Sequence, residues 1–348
     1  MIYQIDPIKD QRWPEFVKRH GSASVFHTTG WLRVLRETYD YEPVVFTTSP
    51  PTTDLVNGLL FCRVNSWLTG SRIVSLPFSD HCEPLCDSAD DLSFLIHYLR
   101  TAFEHQHWKY IEVRPTNRRF CEMSGAKGFV PTARYFRHLL DLRPGLNQLF
   151  GNLHQSSVQR RVRRAERAGL VEKCGTSPGL LRDFYSLFTA TRSRHCLPPT
   201  PYAWFRNLSR YLGESSEIRI AYHEETPIAA VMILRCKETV LYKYGCSDVR
   251  FHRFGATPWL LWRSIAAAKS NGAISFDLGR TEEDNRGLLE FKNHWVPQPQ
   301  ELTYWTFPEF RSLDAAKGRK LRMAKRAFSF MPKSLLQLTG RLLYRHVG

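Results

Sequence analysis

The sequence predicts an α/β (α+β) protein made of two similar units with mostly antiparallel central sheets, followed by a basic helical tail. Three observations lead there. The order of helical and strand-like patterns in the first half recurs in the second. A chain of 348 residues is longer than one ordinary core needs and suits two. The last tenth of the chain departs in charge and patterning from everything before it.

In the first half, helices are expected over residues 13–20 and 29–38, the second with Trp31, Leu32, Leu35 and Tyr39 on one face. Strands are expected over residues 43–48, 55–64 and 72–76, with TTSPPTTD as the turn between the first two. A helix over 91–105 places Leu92, Leu95, Ile96, Leu99 and Phe103 at helical spacing, and strands over 109–113 and 137–142 follow. The second half repeats this order. Helices are expected over 180–191 and 202–212, and strands over 217–222, 228–236 and 239–246. A helix over 258–271 stops at Gly272, and strands over 274–278 and 302–307 complete the pattern. The junction falls near residues 144–157, so the expected domains are 1–145 and 146–310, with a tail over 311–348.

Hydrophobic residues make up 43% and charged residues 24%, which is enough apolar side chain for two cores and argues against disorder. The net charge of +16 favours polyanionic partners: nucleic acid, anionic lipid or phosphorylated substrates. The tail holds ten Lys or Arg against one Asp, a segment charge of +9. There Leu321, Ala324, Ala327, Phe328 and Met331 share a helical face, Pro332 interrupts it, and residues 335–343 resume it. A basic amphipathic element of this kind suits an anionic membrane surface, and the competing reading packs it on the second unit. The eight cysteines form no CxxC pair and read as reduced thiols. The polar start MIYQIDPIKDQRW does not resemble a signal peptide, and no apolar run approaches the roughly 18 residues of a membrane span. A cytoplasmic protein with peripheral membrane contact is expected.

Four stretches carry candidate chemistry. In SFDLGRTEEDNRGLLEFKNHW, a strand ends at Asp277, a glycine-containing loop bears Arg280, and a short helix carries Lys292. A lysine placed among aromatics there offsets negative charge on a reacting carbonyl or phosphate. The competing reading is an Asp277–Arg280 structural ion pair with Lys292 as a surface charge. Upstream, TVLYKYGCS, HRFGAT and PWLLWRSIAAAKSNG read as strand, glycine turn and helix start, an arrangement whose free N–H groups bind anions. The run HQSSVQRRVRRAERAGL sets Arg160, Arg161, Arg163, Arg164 and Arg167 in two helical turns with Glu166 as the one acid, a pattern that meets phosphates. The loop SLPFSDHCEPLCD brings together Asp80, His81, Cys82 and Cys86; its spacing matches no zinc pattern, so no metal is expected, and it reads as a polar loop facing substrate. The sequence identifies no general base: Asp277 and His81 are candidates, and a substrate-assisted route stands beside them. Walker, Rossmann, HExxH and GxSxG motifs are absent.

Taken in order, FHTTGWLRVL, SLPFSDHCEPL, IEVRP, RRVRRAERAGL, PWLLWRSIAAAKSNGAISFDLGRT and GLLEFKNHW resemble the FemAB family of GNAT-like transferases and its relatives in exopolysaccharide and lipid gene clusters. The resemblance spans about residues 22–306. It implies two tandem GNAT-like domains with a substrate groove, an acyl-CoA or aminoacyl-tRNA donor with no permanently bound cofactor, and an amine acceptor on a phosphorylated envelope precursor such as that of peptidoglycan. It places Asp80, His81, Arg160, Arg161, Arg164 and Tyr244 at substrate, with Lys292, Asp277 and Arg280 as catalytic residues. His252-Arg-Phe-Gly255-Ala-Thr257 is a degraded form of the GNAT pyrophosphate loop, which assigns Gly255, Ala256 and Thr257 to the donor. Two departures are the missing coiled-coil arm and the added basic tail. A monomer is expected. The alternative is a non-catalytic nucleic-acid- or membrane-binding protein on a degenerate transferase fold.

Overall fold

Helical and alternating patterns of the first half resolve, in the computed structural model, into β1 (Tyr3–Ile5), α1 (Arg12–Arg19), α2 (Thr29–Tyr39), β2 (Glu42–Thr47), β3 (Leu59–Val64), β4 (Arg72–Val74), α3 (Ala89–Gln106) and β5 (Ile111–Val113). The chain continues through β6 (Val130–Asp141), α4 (Leu146–Asn152), α5 (Arg160–Arg167), β7 (Val171–Gly175), α6 (Pro178–Arg194), α7 (Tyr202–Leu212), β8 (Ser216–His223), β9 (Thr226–Cys236) and β10 (Thr239–Ser247). It ends with α8 (Ala256–Ser270), β11 (Ser275–Glu282), α9 (Arg286–Asn293), β12 (Gln300–Phe307) and α10 (Lys333–Val347). The structure describes residues 1–116, 128–308 and 333–347, together with Phe120 and Phe328.

Contacts divide the chain into two units. The first holds Met1–Tyr135, Glu301–Asp314 and Leu342–Gly348; the second holds Phe136–Gln300 and Ala315–Arg341. In the first unit the strands run β1-β2-β3-β4-β5-β12. All pairs there are antiparallel except β4 with β5, which α3 joins as a crossover. Ser88 caps α3 by accepting the Asp91 N–H, and the helix lays Leu92, Leu95, Ile96 and Leu99 on Phe46, Phe61 and Ile73. In the second unit the strands run β11-β10-β9-β8-β7, again antiparallel except β10 with β11, joined by α8. Here Trp259, Leu260, Leu261 and Ile265 of α8 cover Val231, Ile233, Val240 and Phe276. Each unit thus follows one order: strand, two helices, a three-strand meander, a crossover helix, and a strand parallel to the last of the meander.

Several boundaries differ from expectation for local reasons. The strand expected over 55–64 begins at Leu59, because Asn57 is occupied in hydrogen bonds to Thr47, Thr48 and Asp91. Strand β6 starts seven residues earlier than its apolar pattern suggests, and β7 lacks the alternation that reveals a strand. Residues 279–282 are strand, not the expected loop: Gly279 adopts a φ of 72° inside β11, and Arg280 lies on the strand. Of the tail, Leu321, Ala324, Ala327 and Met331 lie outside the described residues. Phe328 is half-buried, while on α10 Leu335 is exposed and Leu336 buried. Cys62, Cys82, Cys86, Cys174, Cys196, Cys236 and Cys246 are free thiols. No helix among the described residues is long and apolar enough to cross a membrane.

Candidate active site in the second unit

The site begins where a ladder stops. Strands β10 and β11 share three rungs, Thr239↔Ser275, Val240↔Phe276 and Leu241↔Asp277, yet β10 runs on to Ser247 and β11 to Glu282. Directly after the last rung, β10 shifts register against β9 between Tyr242 and Tyr244, a bulge that bends the strand. A side chain at Gly245 would overlap the Tyr242 hydroxyl and force that ring to move.

Three buried polar groups line the β11 side. Asp277 is 1% exposed; its Oδ2 accepts from Arg137 Nε at 2.6 Å and its Oδ1 from the Gly279 N–H at 2.7 Å. Both oxygens are therefore engaged, and the partner is Arg137 of β6 instead of the expected Arg280. Accepting a proton would break this pair, so Asp277 is better suited to holding geometry than to acting as a base. Lys292 is 3% exposed and donates to the carbonyls of Gly279 at 2.9 Å and Arg280 at 3.0 Å. It is carried there by α9, whose cap is Asn285 accepting the Leu288 N–H. His138 is fully buried, with Nε2 2.8 Å from Asn293 Oδ1 and, among the described residues, no partner for Nδ1. Burial pushes its pKa below the ordinary value; the Asn293 hydrogen bond opposes this, the Lys292 charge adds to it, and Asp277 opposes it. Tyr244 accepts from Trp204 Nε1 at 2.9 Å, between Phe188 and Phe205.

A basic surface adjoins the glycine turn. On α5, Val162 and Ala165 are buried while Arg160, Arg161, Arg163, Arg164 and Arg167 are exposed. None of the five lies within 4.0 Å of a carboxylate among the described residues. Arg164 Nη1 donates to the Arg253 carbonyl at 3.2 Å. Gly255, with φ 75°, approaches so closely that a Cβ would stand 2.6 Å from the Arg161 carbonyl oxygen. Gly255 is the N-cap of α8, Ala256 is buried and Thr257 half-buried. The arginine helix and the 255–257 turn, far apart in sequence, thus form one surface. His252 joins it, bonded to Ser247 Oγ at 2.9 Å; burial lowers its pKa most, then the charges of Arg194 and Arg161. His294 is lowered too, by burial and then by His154, whose ring lies 4.3 Å away.

Asp80 and His81 belong to the first unit. Both are buried there, the Asp80 carbonyl accepting from the Tyr304 hydroxyl at 2.7 Å and the His81 ring lying edge-on to Phe26 at 5.3 Å. Among the described residues no group of three His, Cys, Asp or Glu is placed to hold a metal. Sequence reasoning missed Arg137, His138, His154 and His294. The last two stood inside stretches already singled out, whereas nothing in the sequence ties Arg137 to a carboxylate 140 positions later.

A family model described as an acetyltransferase (GNAT) domain matches residues 154–293, which take in the arginine helix, the parting strands and α9. Among solved structures, FemX is similar over 93% of this chain and 100% of that one, with TM-score 0.67 and 12% identity. A C-terminal domain assigned to a lysylphosphatidylglycerol synthetase from Agrobacterium fabrum is similar over 91% and 95%, with TM-score 0.57 and 14% identity. A tandem GNAT protein from the clavulanic acid biosynthesis pathway is similar over 88% and 97%, with TM-score 0.54 and 12% identity. A search of curated proteins finds no match. At these identities the likeness is one of fold, and that fold is a tandem GNAT pair.

Proposed function

We propose that this chain, whose residues 154–293 match a GNAT acetyltransferase domain and whose fold is like that of FemX and of a tandem GNAT protein, is a FemAB-like enzyme that transfers an acyl or aminoacyl group to an amine of a cell-envelope precursor. The observation that carries the reading is Lys292, a buried amine fixed on the carbonyls of Gly279 and Arg280, just past the last rung between β10 and β11. The donor is a thioester of coenzyme A or an aminoacyl ester of tRNA. Its phosphates meet the 255–257 turn, and Arg160, Arg161 and Arg164 take phosphate of donor or precursor. The acceptor amine attacks the donor carbonyl, the C=O electron pair moves onto oxygen, and the tetrahedral adduct collapses with loss of the thiol or the tRNA hydroxyl. The amine proton leaves with the departing group or to solvent. Lys292 offsets the charge on the developing oxyanion, while the Arg137–Asp277 pair keeps β11 in place. The Agrobacterium domain, similar in fold and named for a lysylphosphatidylglycerol synthetase, supports an acceptor in the envelope. The basic tail keeps the protein near an anionic membrane, where such precursors are assembled.

Turnover with acyl-CoAs and charged tRNAs, offered with amine-bearing peptidoglycan, polysaccharide and lipid precursors, tests this. One donor class should raise the melting temperature and support product formation. Lys292→Ala should then lower kcat by about 2.7–4 kcal/mol of barrier, roughly 100- to 1000-fold. An unchanged kcat with an unchanged melting curve removes Lys292 from the mechanism, and a full panel without product removes the transferase reading.

A further inference from the structure

The turn between β3 and β4 presents two large apolar side chains to solvent: Trp67 is 87% exposed and Leu68 is 53% exposed. Single exposed apolar residues are ordinary, but this turn is built to hold them out. Ser66 Oγ accepts from the N–H groups of Leu68 at 3.2 Å and Thr69 at 3.0 Å, and the Gly70 N–H donates to the Ser66 carbonyl at 2.7 Å. The end of α10 locks the same turn. The His346 carbonyl accepts from Thr69 Oγ1 at 3.1 Å and Arg72 Nη2 at 3.0 Å, His346 Nδ1 lies 2.9 Å from Ser66 Oγ, and its ring stands 5.6 Å from that of Trp67. The tip is therefore pre-ordered, and docking through it loses little conformational entropy.

Charge says what covers it. Lys109 is exposed, and its side chain lies against Gly70 of the turn. The end of α10 that locks the turn carries Arg345, which is paired with the exposed Asp40 at 2.9 Å. Leu342 at the same helix end is exposed as well. An indole and leucines beside the exposed Lys109 match the boundary of an anionic bilayer, where Trp favours the headgroup level and Lys meets lipid phosphate. A second copy of a chain with net charge +16 would meet like charge instead.

We propose that the Trp67–Leu68 turn, held by the last turn of α10, docks the first unit on an anionic lipid bilayer. This goes beyond the transferase reading and does not depend on it. The test is co-sedimentation of the full chain with vesicles of phosphatidylcholine alone and of phosphatidylcholine mixed with phosphatidylglycerol. Wild type should bind the mixed vesicles and not the neutral ones. Trp67→Ser/Leu68→Ser should weaken that binding about tenfold or more, since insertion of apolar area is lost, with an unchanged melting temperature; Trp67→Phe should keep most of it. Lys292→Ala should bind like wild type, so loss of chemistry and loss of docking read out separately. Mixed-vesicle binding equal in wild type and the double variant would assign attachment to the tail charge alone and overturn the proposal. So would failure of wild type to bind mixed vesicles, or a dimer in solution that the double variant dissolves.

Discussion

The two units follow one order of elements and finish it differently. In the first, the parallel pair β4 and β5 is stitched shut just past its end. Arg114 pairs with Glu112 at 2.7 Å and donates to the Leu76 carbonyl at 2.7 Å, while the Ser75 and Arg114 N–H groups bridge to Glu112 and Ser75. In the second, the pair β10 and β11 loses its rungs after Leu241 and Asp277, and Lys292 stands beside the gap. Each end uses a buried cation on backbone carbonyls, one to close and one to leave open. A repeated fold therefore does not repeat a site, and the chemistry is expected at one end only.

The comparison breaks most sharply at the two arginines. Arg137→Met leaves Asp277 buried without its cation and should cost about 3–5 kcal/mol of stability, read from denaturant unfolding. Asp277→Leu added to Arg137→Met should recover much of that, because the orphan charge goes with it. Arg114→Met loses carbonyl partners but leaves Glu112 partly in water, so about 1–3 kcal/mol is expected. Turnover per folded molecule should fall for Arg137→Met and hold for Arg114→Met. Equal effects on turnover would mean that both ends serve the reaction.

How far this was legible follows from where the information sits. Order of elements and the two cores depend on local periodicity, and these were readable; the parallel crossovers were not, and Lys292 and the arginine run could be singled out because they lie in compact stretches. Gly279 read as a loop because glycine most often breaks a strand, whereas here it is a bulge inside one. The Arg137–Asp277 pair needs two strands brought side by side across 140 positions, which no spacing rule encodes. Asp80 and His81 fell in a rich polar loop, but their burial among Phe26 and Tyr304 depends on packing.

A gentler test concerns the basic surface, which the described residues of the first unit do not duplicate on any helix. Arg160→Gln/Arg161→Gln removes two exposed guanidinium groups and no structural hydrogen bond, whereas Arg164 also holds the Arg253 carbonyl. Affinity for a phosphorylated substrate should drop about tenfold at low salt, in line with about 1.4 kcal/mol over two charge-assisted contacts. The gap should shrink as salt rises, because exposed charges are screened. Isothermal titration at two salt concentrations checks both. Identical affinities would make the run a solvated face and remove phosphate from this side of the site.

The smallest expected effect separates two buried histidines. His27 in the first unit is satisfied at both nitrogens, by Ser24 on one side and the Glu83 carbonyl on the other. His138 in the second is satisfied at Nε2 only, and its pKa lies below the ordinary value because burial and the Lys292 charge disfavour the imidazolium. The unfolded imidazole takes up its proton near pH 6.5, where the folded one still resists, so the unfolded state binds more protons as the solution is acidified. The stability this contributes is intact above about pH 6.5 and is lost as pH falls through the lower folded-state pKa. His252 and His294 are shifted the same way and add to the slope in wild type. Comparing wild type with His138→Gln isolates one residue, because glutamine retains a donor for Asn293 but does not titrate. Melting temperatures between about pH 7.5 and 5.5 should fall less steeply in the variant. Protonating His138 would also place a second positive charge beside Lys292, so the acid limb of the pH–rate profile should move to lower pH in His138→Gln. Parallel melting curves for the two proteins across that range would show that His138 keeps an ordinary pKa and that Lys292 gains nothing from its neutrality.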